Sequence, residues 1–299
     1  MRRLGADDGI LIVTVVLWSL NFTASKYVLT HGFQPLAFSS IRYTLGSLGI
    51  AGFAFAREGS LRIRPRDVLV FVVPTALLVV GNQYCFVYAL KYSTASTVAL
   101  VLGTTPVFVG IFAWLFRLER VELGFWIAAA VSFAGVALVA GGSGSVAGTL
   151  KGDLIAVAAA AAWAGYSVLI VPLMRRYTAY RSSAVVMLLM ALVLLGLGSP
   201  QLARQSFSLG GTTWLAFAYS VAGPVMVAQV LWFVAVERVG AGRASLFVNA
   251  QPFLAAVFAI LLLSEQLSRF EIAGGFLIAA GIVLERRARV VVVQQPPGD

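Results

Sequence analysis

The chain has 299 residues, of which 60% are hydrophobic and only 11% are charged, and its mean hydropathy is +0.92. Soluble domains are about 45–50% apolar and about 25% charged, so this composition excludes a soluble globular protein, and it also excludes a disordered chain. A single cysteine, Cys85, and a single histidine, His31, leave no basis for an internal disulfide, a metal cluster or a catalytic triad. We therefore expect an integral membrane protein that is not an enzyme and has no cofactor or metal.

Ten apolar stretches reach the length of about 20 residues that a helix needs to cross a bilayer. They cover residues 9–29, 35–56, 68–90, 95–116, 122–141, 153–174, 182–199, 213–236, 242–264 and 270–287. The first stretch follows Arg2 and Arg3, but it is too long for the apolar region of a signal peptide, so we expect a retained helix. The sequence predicts an all-α membrane protein of ten transmembrane helices, with a disordered tail over residues 290–299.

The basic residues indicate how these helices are oriented. With both termini on the cytoplasmic side, sixteen of the 22 basic residues fall in cytoplasmic segments and four on the opposite side, as the positive-inside rule requires. The net charge of +10 is then a topology signal and not a nucleic-acid-binding face. We expect a multi-pass protein of the plasma membrane (the bacterial inner membrane), with Ser60 inside and both Gln201 and the Gly141–Gly148 link outside.

An internal repeat divides the chain into two halves. When the sequence is shifted by 146 positions, eleven of 50 residues between 89 and 138 are identical to their counterparts, including Pro106 with Pro252 and Glu119 with Glu265. Each half holds five predicted helices, an odd number, so the second half is expected to be inverted relative to the first. We predict a first repeat over residues 1–146 and an inverted second repeat over 147–289, an arrangement typical of transporters.

These residues resemble a known family. The Trp18-Ser19-Leu20-Asn21-Phe22 opening and the repeated proline-to-glutamate spacing are similar to the EamA branch of the drug/metabolite transporter superfamily, and within it to YddG-type aromatic amino acid exporters. The resemblance implies ten helices around a central cavity and transport by alternating access. It implies less about the substrate, because members of this branch export different metabolites.

Helical spacing suggests which residues of the first and sixth helices line that cavity. Trp18 and Asn21 lie on one stripe of the first helix, and their repeat counterparts Trp163 and Tyr166 lie on the equivalent stripe of the sixth. Polar groups inside a membrane usually face the bundle interior. The alternative is that they form hydrogen bonds between helices.

Further candidates come from the remaining helices. The third and eighth helices carry Asn82, Gln83, Gln229 and Trp232 in otherwise apolar surroundings. In the fourth and ninth helices, Pro106 and Pro252 occupy matched positions, with Asn249 shortly before the second proline. A proline removes a backbone donor, and broken helices at corresponding points of two repeats indicate a transport site, although a simple packing kink is the alternative.

Charged residues are scarce in the predicted spans. All twelve acidic residues fall at or near span ends, so we expect transport without a buried proton-coupling carboxylate. Glu119 and Glu265 are candidates for gates or for solvated helix ends. We expect Lys26 and Arg42 to extend to the outer interface, with binding of a substrate carboxylate as the alternative.

Three classes of function are compatible with a polytopic chain. We predict an exporter of small metabolites, namely aromatic or other neutral amino acids, that works as a monomer in the lipid bilayer. The alternative is a nucleotide-sugar or phosphate-compound exchanger of the same superfamily, which would require inward-facing Arg or Lys residues. A membrane enzyme would need a nucleophile with a base, or a metal, in one pocket, and the sequence offers neither.

Overall fold

A computed structural model of the protein describes residues 6–116, 123–142, 150–239 and 247–288. Within these ranges all regular secondary structure is helical, in ten segments that we number α1 to α10. Their bounds are Ala6–Thr30, Pro35–Glu58, Pro65–Tyr92, Ala95–Leu102 with Thr105–Leu115 (α4a and α4b), Leu123–Gly142, Leu150–Met174, Ala179–Leu202, 211–239, Gln251–Leu263 and Arg269–Ala288. Glu119, most of the link between α5 and α6, the start of the predicted ninth stretch and the predicted tail lie outside the described residues.

The helices have the composition of membrane spans. Seven in the described ranges are long and apolar enough to cross a bilayer: α1, α3, α4, α5, α6, α7 and the first part of α8. Of the other three, α9 is shorter and α2 and α10 are the least apolar. Large side chains such as Leu123 and Phe276 are more than two-thirds exposed. Such exposure of apolar surface is expected where lipid covers the protein.

Helices from the two halves pack against each other in antiparallel pairs. In α2 and α7, the Ser40 hydroxyl near the start of one helix donates to the Leu194 carbonyl near the end of the other at 2.7 Å. At the opposite end of the pair, Arg181 Nε donates to Glu58 Oε2 at 2.9 Å. The two helices therefore run in opposite directions.

Small residues bring α5 and α10 equally close. A Cβ placed on Gly135 would lie 2.7 Å from the carbonyl oxygen of Gly274, and one on Gly281 would lie 2.8 Å from that of Ala128. Gly281 is the repeat counterpart of Gly135, and Gly274 is that of Ala128, each 146 positions later. The two contacts are therefore equivalent under exchange of the two halves. α3 packs on α6 as α1 packs on α8, and α4 packs on both α9 and α6.

Two helices contain a π-helical segment next to a proline. In α3 the segment is Val68–Val72, directly before Val73-Pro74, and in α8 it is Val221–Val227, which contains Pro224. A proline lacks the N–H that the carbonyl four residues earlier would accept. In α8, the carbonyls of Ser220 and Pro224 accept hydrogen bonds from neighbouring helices.

Candidate functional site

Trp18 lies on the face of α1 that packs against α8. Its ring is in contact with that of Trp232, with centroids 5.4 Å apart and an interplanar angle of 49°. The indole Nε1 donates to the carbonyl of Pro224 at 3.1 Å. Both tryptophans are half-buried, and their rings meet where α1 packs on α8.

Arg42 of α2 is joined to this cluster from the other side. Pro224 cannot supply the α-helical donor to the carbonyl of Ser220, and Arg42 Nε donates to that oxygen at 3.1 Å. The guanidinium Nη1 donates to Ser25 Oγ at 3.4 Å, and Ser25 in turn donates to Asn21 Oδ1 at 3.1 Å. The expectation that Arg42 extends to the interface is wrong, because these acceptors lie nearer and hold it in a buried position.

Asn82 and Gln83 lie on α3 at its contact with α6. Asn82 Nδ2 donates to the carbonyl of Ala159 at 2.9 Å, so it forms a hydrogen bond between α3 and α6. Gln83 Nε2 donates to Asn82 Oδ1 at 2.7 Å. Gln83 Oε1 is buried and receives no hydrogen bond from the described residues. The pair therefore leaves one buried acceptor available.

Trp163 and Tyr166 lie on α6 with ring centroids 4.9 Å apart. Tyr166 is buried, and Trp163 packs against the same apolar cluster as Trp232, a cluster to which Tyr43 also belongs. The structure thus brings the tryptophans of α6 and α8 to one cluster, which Trp18 extends to α1. On α8, Gln229 is also buried, one turn before Trp232.

The fourth and ninth segments are interrupted directly before their prolines. α4a ends at Leu102 and α4b begins at Thr105, with Pro106 in its first turn. Asn249 and Ala250 form a turn before α9, which begins at Gln251 with Pro252 in its first turn. The two interruptions face each other, since a Cβ on Gly103 would lie 3.2 Å from Cγ of Pro252.

A cavity of about 330 Å³ lies between α1 and the turn before α9. It is lined by Ile12 and Val15 of α1 and by Phe247, Ala250 and Leu254 at the start of the ninth segment. The lining is apolar and includes the exposed Ile12. Between α1 and α8, by contrast, Trp18 and Trp232 are in direct contact.

Polar contacts tie the helices together at the end of the bundle that holds the α1–α2, α3–α4 and α9–α10 connections, here called the α1–α2 end. Glu265 accepts from the backbone N–H groups of Ala95 and Ser96 at 2.8 and 3.0 Å and from the Ser96 hydroxyl at 2.7 Å. Lys26 Nζ donates to the carbonyls of Leu90 and Ser93, both at 2.6 Å. Glu265 is therefore engaged at the N-terminus of α4a and is not a solvated helix end.

The opposite end, which holds the α2–α3 and α6–α7 connections, is here called the α2–α3 end. Arg176 forms an ion pair and hydrogen bond with Asp67, whose other oxygen accepts from the Tyr177 hydroxyl at 2.8 Å. Arg181 forms the second ion pair, with Glu58. Both pairs join α2 or α3 of the first half to α6 or α7 of the second.

Several buried carboxylates were not predicted to be buried. Asp67, Asp153 and Glu271 lie near helix starts, as the sequence indicates, but each is at most 5% exposed. Asp153 accepts from the Ser93 hydroxyl at 2.7 Å and Glu271 from the Thr97 hydroxyl at 2.6 Å. The described residues contain no cluster of three or more His, Cys, Asp and Glu side chains that would hold a metal ion.

Together these features define a class. Helices of membrane-spanning length from two halves pack together, with aromatic and amide side chains between them and polar contacts between the halves at both ends, as in a multi-pass membrane transporter. The sequence profile of the EamA-like transporter family matches residues 8–141 and again 150–285. The chain belongs to the EamA-like transporter family.

Its relatives are named as transporters. The chain is 29% identical to the uncharacterized transporter YvbV of Bacillus subtilis, over 92% of this chain and 90% of that protein. It is 26% identical to a probable terminal-alkyne amino-acid exporter of Streptantibioticus cattleyicolor (93% and 92% covered) and to a probable amino-acid metabolite efflux pump of Salmonella typhimurium (93% and 94%). A crystal structure with 22% identity matches with a TM-score of 0.67 over 96% of this chain and 99% of the other, which shows the same fold.

Proposed function

We propose that all ten segments span the membrane and that residues 1–146 and 147–289 form two repeats of opposite orientation. The antiparallel contacts of α2 with α7 and of α5 with α10 support this, because equivalent helices of inverted repeats run in opposite directions. The family profile, which matches once in each half, also supports it. We further propose that the protein is a monomer in the plasma membrane (the bacterial inner membrane), with both termini cytoplasmic.

We propose that the substrate binds between the two repeats, where the aromatic and amide side chains of α1, α3, α6 and α8 converge. The candidate residues are Trp18, Asn21, Asn82, Gln83, Trp163, Tyr166, Gln229, Trp232 and Asn249. The observation that carries this assignment is the buried, unpaired Oε1 of Gln83. A buried acceptor without a donor is unfavourable, and a donor group of a bound substrate would satisfy it.

Transport would then proceed by alternating access. The contacts of Glu265 with Ala95 and Ser96 close the α1–α2 end, and the pairs of Asp67 and Glu58 with arginines close the α2–α3 end. Each set joins elements of different halves, so one set has to open for the substrate to enter or leave. The interruptions before Pro106 and Pro252 supply flexible points within α4 and α9.

The proposed substrates are neutral amino acids, aromatic ones among them. Tryptophan and tyrosine rings contribute large apolar contact area, worth about 0.5–1.5 kcal/mol per ring pair beyond burial, and the amides hydrogen-bond without adding net charge. Two relatives are named as exporters of amino acids or their metabolites, which supports this class. Since every described carboxylate lies near a helix end, the proposed mode is uniport or exchange without proton coupling.

The buried Arg42 favours one other candidate, an exchanger of nucleotide sugars or phosphate compounds. A phosphate group is commonly bound by two or more cationic side chains. Here Lys26 is occupied by two backbone carbonyls, which leaves Arg42 as the one buried cation of the described spans. A single available buried cation favours a substrate with one negative group over a doubly charged one.

A competition experiment in proteoliposomes tests the proposal. Uptake of one radiolabelled amino acid is measured while unlabelled amino acids, nucleotide sugars and sugar phosphates are added one at a time. We expect aromatic and other neutral amino acids to compete and the phosphate compounds to have no effect. Competition by nucleotide sugars alone would replace the proposal with the exchanger.

A further inference from the structure

Arg42 is one of the largest fully buried side chains in the protein. Only 2% of the residue is exposed. It is the eighth residue of α2, which at 1.5 Å per residue places its Cα about 10 Å along the helix from Pro35. An arginine at this depth in a membrane span requires a compensating partner, because its guanidinium stays protonated.

No carboxylate among the described residues compensates this charge. Arg42 takes part in neither of the ion pairs found there, Arg176 with Asp67 and Arg181 with Glu58, so no described carboxylate lies within 4 Å of it. The nearest compensation is dipolar, from the Ser220 carbonyl and the Ser25 hydroxyl. A buried cation held by dipoles alone retains a net charge that attracts an anion.

The guanidinium is held with one side available. Nε is used by Ser220, Nη1 makes one long bond of 3.4 Å to Ser25, and Nη2 has no acceptor among the described residues. The rings of Phe38 and Tyr43 lie 5.4 and 5.0 Å from the guanidinium carbon and fix its position. The edge formed by Nη1 and Nη2 is the edge that binds a carboxylate with two parallel hydrogen bonds.

A purely structural role explains only part of this arrangement. A hydrogen bond from α2 to the carbonyl of Ser220 needs one N–H donor, and a neutral side chain would supply it with a smaller desolvation penalty. The chain has instead an arginine, next to Ser25 and Asn21, and Asn21 is on the same stripe of α1 as Trp18. The charge is thus adjacent to the proposed substrate site and unexplained by the packing.

We propose that Arg42 binds the carboxylate of the substrate through Nη1 and Nη2, so that the transported molecules are monocarboxylates. This inference rests on the proposed function for the location of the substrate. Its separate claim is that the protein binds the substrate by its carboxylate. It takes up for Arg42 the carboxylate-binding role that the sequence left as the alternative, and it adds Ser25 to the candidate site.

The test compares matched ligands on matched variants. Inhibition of amino acid uptake by L-phenylalanine and by L-phenylalaninamide is measured in proteoliposomes for the wild type, Arg42→Gln, Arg42→Lys and the control Arg57→Gln, whose side chain is exposed at the far end of α2. We expect the wild type and Arg57→Gln to bind the acid at least about tenfold more tightly than the amide. Arg42→Gln should lose this preference, and Arg42→Lys should keep part of it.

Equal inhibition by acid and amide in the wild type, or an unchanged preference in Arg42→Gln, would overturn the inference. If Arg42→Gln does not yield monodisperse protein, the wild-type comparison decides alone. If no amino acid is transported, the proposed function fails. The carboxylate site at Arg42 can then still be tested by comparing how far 3-phenylpropionate and 3-phenylpropionamide raise the thermal unfolding midpoint of the wild type. Stabilisation by the acid alone supports the carboxylate site, and equal or absent stabilisation rejects it.

Discussion

Gly103 and Pro252 lie against each other at the points where the helices of α4 and α9 are interrupted. A Cβ on Gly103 would lie 3.2 Å from Cγ of Pro252 and 2.9 Å from the carbonyl oxygen of Leu100. A residue with a Cβ therefore cannot replace Gly103 unless the neighbouring backbone shifts. The two interruptions therefore share a tight contact. A movement of α4 relative to α9 at this point would change that contact.

Gly103→Ala is expected to slow transport several-fold and to destabilise the fold by about 1–3 kcal/mol, as overpacking does. The matched control is Gly196→Ala on α7, where a Cβ would meet open space and the change should stabilise slightly or be neutral. Initial uptake rates and thermal unfolding of the purified proteins measure both effects. Wild-type behaviour of Gly103→Ala would contradict the close contact.

Glu265→Gln is expected to weaken the α1–α2 end. The amide would place an NH₂ group where a carboxylate oxygen now accepts from Ala95 or Ser96, and it would remove a negative charge from a helix N-terminus, worth about 0.3–1 kcal/mol. We expect a thermal unfolding midpoint lowered by a few degrees and a larger fraction of protein open at this end. Gln266→Ala, at the exposed neighbouring position, should leave both unchanged.

Openness of that end can be measured with a cysteine at Ser96, on a Cys85→Ser background in detergent. Glu265→Gln should raise the rate at which Ser96→Cys reacts with a hydrophilic maleimide. A rate that is equal with and without Glu265→Gln would mean that the contact does not hold this end closed.

The proposed orientation predicts a specific labelling pattern. In intact cells, an impermeant thiol reagent should modify Ser208→Cys, in the exposed α7–α8 connection, and should not modify Ser60→Cys in the α2–α3 connection, again with Cys85→Ser. Ser208 is a better reporter than Gln201, whose side chain accepts from the Leu36 N–H and donates to the Tyr88 hydroxyl. Labelling of Ser60→Cys but not of Ser208→Cys would reverse the orientation.

Trp163→Ala is expected to raise the half-saturation concentration or lower the transport rate, with a loss of about 0.5–1.5 kcal/mol of ring contact. Trp126→Ala is the control, because Trp126 is 38% exposed on α5 and contacts Trp114 and Phe125. Unaltered transport by Trp163→Ala at normal expression would remove Trp163 from the site. An equal effect on aromatic and aliphatic amino acids would indicate a role in shape and not in ring stacking.

Hydropathy and proline positions were sufficient to predict most of the helical segments and the region of the interruptions, since both are local properties of the chain. The buried position of Arg42 could not be predicted from such local properties. Its burial depends on the carbonyl of Ser220, which lies on a helix about 180 residues later in the sequence and has no α-helical donor at Pro224.

The same limit applies to the candidate site. The stripe of Trp18 and Asn21 follows from helical periodicity, but the contact of Trp18 with Trp232 depends on how α1 packs on α8. Asn82 is a further case, because its hydrogen bond to a carbonyl on α6 depends on how α3 packs on that helix. Burial of helix-end carboxylates such as Asp153 and Glu271 likewise arises from neighbouring helices.

Trans-stimulation tests alternating access of a neutral amino acid carrier most directly. Proteoliposomes are loaded with unlabelled L-phenylalanine or left empty, with equal pH and no sodium on either side, and the initial uptake of radiolabelled L-phenylalanine is compared. The account predicts saturable uptake that is several-fold faster into the loaded vesicles without any ion gradient. Uptake that occurs only with an imposed pH difference or with sodium, or that is not accelerated by internal substrate, would contradict it.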